Sequence, residues 1–186
     1  MIGDLVSILD GNSFVVSSRT GDIEPSQAMP TGVFASDTRF ISTWVLTING
    51  ERLHRLSVDD LNFFESRFYL VPGEPRQYID VKVSVIRERL VGDSFSEKLT
   101  IFNHERMPKE FVIRLDVASD FADIFEVKEA NVNKTGSISK SVESWGLVLT
   151  YKRDKFRRST IISTSAAADI DESGLTWVVH LPTEGQ

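Results

Sequence analysis

The chain of 186 residues contains no cysteine. That excludes disulfide staples, thiolate nucleophiles and Cys-based zinc sites, and it suits a reducing compartment such as the cytoplasm. Its three histidines, His54, His104 and His180, are scattered without paired ligand spacing, so no metal site is expected. No apolar run approaches the ~20 residues of a transmembrane helix. Met1-Ile2-Gly3-Asp4 opens no basic-then-apolar signal segment. A Gly-rich phosphate loop is missing, as is any dozen residues with a sustained 3.6-residue period. Positive charge is also short: 21 basic residues against 27 acidic give a net charge of −6, which argues against nucleic acid or an anionic membrane as partner.

What is present is strand pattern. With 41% hydrophobic and 26% charged residues, the chain can bury a proper core without cross-links. Residues 41–48 are rich in β-branched and aromatic side chains and run into Asn49-Gly50, a two-residue hairpin signal; the returning strand is expected at about Arg52–Val58. Leu5–Leu9 and Ser13–Ser18 form a second hairpin through Asp10-Gly11-Asn12. Asp80–Val91 alternates, Gly92-Asp93 turns, and Phe95–Phe102 follows. After the polar turn Asn103–Pro108, Phe111, Ile113, Leu115 and Val117 line one strand face. Further strands are expected at about Trp145–Lys152, Ser159–Ser165 and Leu175–Leu181. The pattern predicts a single all-β domain over residues 1–186: an antiparallel β-sandwich of about eleven strands with little or no helix. His180–Gln186 leaves its strand in linker-like residues, as at a domain boundary.

Two segments fit no simple template. Asp120-Phe121-Ala122-Asp123-Ile124-Phe125-Glu126 mixes charge and bulk on both faces of a strand, and on a helix its acids would repel without a compensating cation. It is expected to be a loop in which Phe121 and Phe125 are buried while the acids cap backbone groups or pair with Arg39, Arg87 or Arg114. Asp37-Thr38-Arg39 is expected to be a loop as well, with Asp37 capping a turn and Arg39 in an ion pair. The basic run Lys152–Arg158 is expected at a solvated hairpin tip, and Trp44, Trp145 and Trp177 in the core. Tyr69, Tyr78, Phe63 and Phe64 lie in a less regular stretch and are better placed for exposure. Ser137-Ile138-Ser139-Lys140 lacks the helix and companion motifs of Ser-x-x-Lys chemistry.

Gly32–Ser42, which contains Asp37-Thr38-Arg39-Phe40, stands in order with Gly11–Ser17, Gly21-Asp22-Ile23, Ile48-Asn49-Gly50, Arg87-Glu88-Arg89, Asn103-His104 and the acidic block Asp120–Glu126. In these blocks, from about Gly11 to Thr183, the chain resembles the N-terminal domain of bacterial glycogen debranching enzyme-like proteins, the amylo-alpha-1,6-glucosidase family. The resemblance implies a supersandwich-like β-sandwich placed before an (α/α)6 barrel, and the barrel, which holds the glycosidase carboxylates, is absent from this chain. It implies a non-catalytic domain that packs on that barrel and helps form its α-glucan site, within a parent glycoside hydrolase of carbohydrate metabolism. On this reading the chain has no catalytic residue and no cofactor, and Asp37, Arg39, Asp120, Asp123 and Glu126 are the candidates for contact with substrate or barrel. The expected partners are the catalytic domain and α-glucan, with a homodimer of the truncated chain as a further state. A stand-alone carbohydrate-binding module and a purely structural or oligomerisation domain are the alternatives. Lys128-Glu129 departs from the family pattern of Arg and Gly, which loses a bidentate fork and a residue free to take positive φ.

Overall fold

A computed structural model describes residues 5–26, 30–73, 82–129, 132, 134–183 and 185. Tight turns set the order of the strands. β1 (Leu5–Asp10) and β2 (Ser13–Ser18) form the hairpin expected around Gly11. β3 (Gly32–Ala35) returns as β4 (Thr38–Ile41) through Ser36 and Asp37, with Ser36 at φ +51°. The expected loop at Asp37-Thr38-Arg39 is thereby corrected: Asp37 is in the turn, and Thr38 and Arg39 are strand residues. β5 (Thr43–Ile48) turns into β6 (Glu51–Asn62) through Asn49 and Gly50, which take the two positive φ values that such a turn needs, +51° and +80°.

β7 (Glu65–Pro72), β8 (Val83–Val91), β9 (Phe95–Asn103) and β10 (Lys109–Ala118) follow. A short helix, α1 (Ile124–Lys128), precedes β11 (Ser137–Glu143), β12 (Gly146–Arg153), β13 (Phe156–Ser163), β14 (Asp169–Asp171) and β15 (Gly174–Leu181). The all-β antiparallel class is as read from the sequence. The fifteen strands among the described residues exceed the expected eleven because β3, β4 and β14 are very short, and because polar side chains interrupt β7 and β11. Tyr69 lies in β7, whereas Tyr78, Asp80 and Val81 fall outside the described residues.

The strands form three antiparallel sheets, in the orders β1-β2-β3-β4, β14-β15-β10-β5-β6-β7-β8-β9 and β11-β12-β13. The largest sheet curls on itself. β5 and β9 are separated by three strands, yet the Trp44 and Phe95 rings meet at 5.2 Å, and Trp44 Nε1 donates to Glu97 Oε1 at 2.9 Å. Inside the curl, Leu46, Phe68, Leu70, Val85 and Leu115 share one buried cluster with Val15 from the four-stranded sheet and with Leu147 and Leu149 from the three-stranded one. Trp44 is buried and Trp177 half-buried, as expected. Trp145 is 52% exposed, because it sits in the turn before β12 rather than in that strand.

The core face of β8 runs Val85, Arg87, Arg89, Val91, and both arginines are fully buried. Arg87 Nη1 donates to Asp22 Oδ1 at 2.7 Å and to the Thr20 carbonyl at 3.0 Å, while Nη2 donates to Glu97 Oε1 at 3.0 Å. Arg89 Nε donates to Glu97 Oε2 at 2.6 Å, and its Nη2 donates to the Gly21 carbonyl. Burial pushes the Arg89 guanidinium down to about 10, still charged at neutral pH. Burial works to raise the Glu97 carboxyl, but the two guanidiniums outweigh it and hold the group below the ordinary carboxylate range.

Removing this carboxylate strands two buried cations, a change that typically costs about 3–5 kcal/mol. Glu97→Gln should therefore lower the melting temperature by about 10 °C, at roughly 2–4 °C per kcal/mol for a domain of this size. The folded-state pKa of Glu97 lies below its unfolded value of about 4.3, so its contribution is full above that pH and is lost as pH falls through the folded value. Melting curves of the wild type should shift downward below about pH 4, and those of Glu97→Gln should shift less. A fall of under about 2 °C in the variant at pH 7 would refute the assignment.

Candidate functional site

The two segments that fit no simple template pack against each other. Arg39 N donates to the Ala122 carbonyl at 2.8 Å, Ile124 N to the Asp37 carbonyl at 3.0 Å, and Ser42 N to the Ala118 carbonyl at 2.9 Å. Thr38 bridges Asp123 in antiparallel fashion, so residues 118–124 run alongside β4. Phe121 turns the chain at φ +51°, unusual for a bulky residue. Its ring is buried, 6.0 Å from both Phe40 and Tyr151, and this packing offsets the backbone strain.

Arg39 is 4% exposed and grips Asp120 with a fork: Nε donates to Oδ1 at 3.1 Å and Nη2 to Oδ2. Its Nη1 donates to the Thr31 carbonyl at 3.1 Å, and Asp120 Oδ1 also accepts from Ala122 N at 3.2 Å. Gly32 leaves the room for this arginine, since a Cβ there would lie 2.5 Å from Arg39 Cδ.

Asp123 is the N-cap of α1, and its Oδ1 accepts from Phe125 N and Glu126 N, both at 2.9 Å. Glu126 Oε2 accepts from Asp123 N at 2.8 Å, which completes a capping box. The Glu126 N–H, with that of Phe125, holds the Asp123 carboxyl below its ordinary range. These bonds explain why the sequence expectation of a loop fails here. Asp120 and Asp123 precede the helix and take up backbone N–H groups, and the sole acid in the first turn, Glu126, is favoured by the helix dipole. The Asp-x-x-Glu spacing ahead of apolar residues was the available signal. Phe121 is buried as expected, but Phe125 is 70% exposed. Glu129 takes φ −85° at the C-cap, so no residue with positive φ is needed where the family pattern has Gly.

Asp37, Arg39, Asp120, Asp123 and Glu126 are thus brought into one unit: an ion pair, a capping box and, from exposed Asp37, a backbone carbonyl. Sequence reasoning missed the surface next to it. Lys134 pairs with Glu126 at 2.5 Å and stands 5.9 Å from the Tyr151 ring. A shallow depression of about 420 Å³ is lined by Lys134, Tyr151, Arg153, Asp154, Lys155 and Phe156. The expected hairpin tip is there, with Asp154 at φ +52° between β12 and β13. Aromatic residues at positions 151 and 156, flanking the basic run, were the signal for it. Among the described residues, no cluster of three or more His, Asp or Glu side chains is placed to hold a metal.

The two carboxylates should differ in weight. Asp120→Ala leaves Arg39 buried and unpaired and should cost about 3 kcal/mol, whereas Asp123→Ala removes a solvent-facing cap and should cost about 1 kcal/mol. Urea denaturation of both variants tests the order, and equal midpoints would contradict it.

No curated protein matches the chain. A family model described as the N-terminal domain of some glycogen debranching enzymes matches it over residues 8–186. With nearly its whole length so matched, the chain belongs to the family of N-terminal domains of glycogen debranching enzymes.

Proposed function

We propose that the chain is one non-catalytic domain of a cytoplasmic glycogen-debranching α-1,6-glucosidase, that it packs on the (α/α)6 catalytic barrel of the same polypeptide, and that it helps form the α-glucan site. The observation that carries this reading is the family match over residues 8–186, and the geometry of the candidate acids supports it: Asp120 is held by the Arg39 fork, while Asp123 and Glu126 are engaged in the capping box. A glycosidase general acid must keep its proton near neutral pH, which requires a raised pKa. Among the described residues with displaced carboxyls, Glu88, Glu97, Glu105, Asp123 and Asp171 all move below the ordinary range, each held there by hydrogen bonds or cations. Such groups serve as fixed anions rather than proton donors. Asp37, Arg39, Asp120, Asp123 and Glu126 then act by shaping a surface from which Phe125 projects toward a partner.

The isolated chain should release no glucose from a branched limit dextrin. A separately produced catalytic barrel from the same polypeptide should bind it, and Phe125→Ser should weaken that complex at least tenfold in calorimetry. Glucose release by this chain alone, abolished by Asp123→Asn, would overturn the proposal, as would a barrel that fails to bind.

A further inference from the structure

The β12–β13 hairpin concentrates positive charge on an acidic protein. Residues 151–158 carry five basic side chains and one acid, leaving 16 basic against 26 acidic residues for the rest of the chain. Strand alternation sorts these cations. Tyr151, Arg153, Phe156 and Arg158 share one face, in the cross-strand pairs Tyr151↔Arg158 and Arg153↔Phe156, while Lys152 and Arg157 oppose each other on the other face. Each pair on the first face sets a guanidinium against a ring. Arg158 lies 5.0 Å from the Phe156 centroid and 5.9 Å from that of Phe40, so it packs on the Phe156 ring, which is 48% exposed. Like charges crowded on a short hairpin reduce its stability. Arg153 and Lys155 nevertheless have no carboxylate partner among the described residues, while Lys134 across the depression is balanced by Glu126.

A half-exposed ring packed on Arg158 and Tyr151, in a depression of about 420 Å³ where Arg153, Lys155 and Lys134 outnumber Asp154, is suited to a ligand with an apolar ring face and an adjacent anion. We propose that this site binds a hexose phosphate ester, with the sugar on Phe156 and the phosphate on Arg153 and Lys155. The proposal rests on the reading that the domain serves an α-glucan enzyme. Two sources present this chemistry: a free hexose phosphate, and a phosphate monoester on a glucan chain.

Calorimetric titration of the 186-residue chain with glucose 6-phosphate, with inorganic phosphate, with maltoheptaose, and with a phosphorylated glucan before and after phosphatase treatment tests the site. Glucose 6-phosphate should bind at least tenfold more tightly than inorganic phosphate or maltoheptaose, and more weakly as salt rises. Arg153→Gln/Lys155→Gln should lose at least tenfold without a fall in melting temperature, since both side chains are exposed and their removal relieves like-charge crowding, and Phe156→Ala should lose several-fold. Loss of glucan binding on phosphatase treatment identifies the polymer as a source; binding of glucose 6-phosphate alone identifies the free ester. Equal affinity for inorganic phosphate, equal affinity for neutral maltoheptaose, an unaffected double variant, or no binding at all would each overturn the inference. None of these outcomes bears on whether the domain binds its catalytic barrel, which the complex with Phe125→Ser tests separately.

Discussion

Two arginines neutralised inside a curled sheet set the arrangement of most of this molecule. Arg87 and Arg89 come from β8, Glu97 from β9, Asp22 from the connection after β2, and Trp44, which donates to Glu97, from β5. Asp22 Oδ1 also accepts from the Leu46 backbone N–H at 3.2 Å, and Ile23 pairs with Trp44 through two backbone bonds. Each member has its position specified by charge as well as by shape. An apolar core of the same volume would tolerate a shift of one strand along its neighbour far better, whereas here a one-residue slip of β9 would turn Glu97 away from both guanidiniums. The cluster therefore acts as a register lock on the curl, and through the Gly21 and Thr20 carbonyls it fastens the connection from the four-stranded sheet to the same point.

The unit built from Arg39, Asp120 and the capped helix depends on that lock. β4 and the end of β10 meet where the chain leaves the large sheet, and Ser42 N bonds to the Ala118 carbonyl just before the two segments diverge. From there Arg39 and Asp120 join segments far apart in the chain, while Asp123 and Glu126 act locally. One pair supplies a long-range tie and the other a helix start. Phe121 fits between them at positive φ, its ring held by Phe40 from β4 and Tyr151 from β12, so all three sheets contribute to the position of α1.

Much of this was legible in the sequence where a local rule decides the structure. Asn49-Gly50 and Gly11 turned the chain where their backbone freedom predicted, and the alternation of Phe111, Ile113, Leu115 and Val117 gave the buried face of β10. The misses have a shared cause. The hairpin β3–β4 is tied to residues 118–124 by bonds between residues some 80 positions apart, which no window along the chain contains. Arg87 and Arg89 continue the core-facing positions of Val85, but polarity hides them from a hydrophobic pattern. Their burial becomes readable only when Glu97 is known to sit opposite Arg89. The capping box is different: its spacing was in plain view, and the repulsion argument failed because it placed all three acids inside the helix, whereas Asp120 and Asp123 stand in front of it.

The distribution of charge carries the last step. The acids whose environments displace them are all stabilised as anions, and the strongest cases are already partnered, Glu97 by two arginines and Asp171 by Arg114. Where negative charge is paired at the core and at α1 it holds structure: Asp22 and Glu97 hold the buried arginines, Asp120 holds Arg39, and Asp123 starts the helix. Positive charge without a carboxylate partner among the described residues is concentrated on the β12–β13 hairpin, next to the rings of Tyr151 and Phe156 and one residue contact away from α1 through Lys134 and Glu126. The displaced acids are fixed as anions by their neighbours, and the β12–β13 hairpin presents Arg153 and Lys155 beside the ring of Phe156. Under the function proposed above, the contribution of such a surface to catalysis is positional: it acts on where a substrate lies.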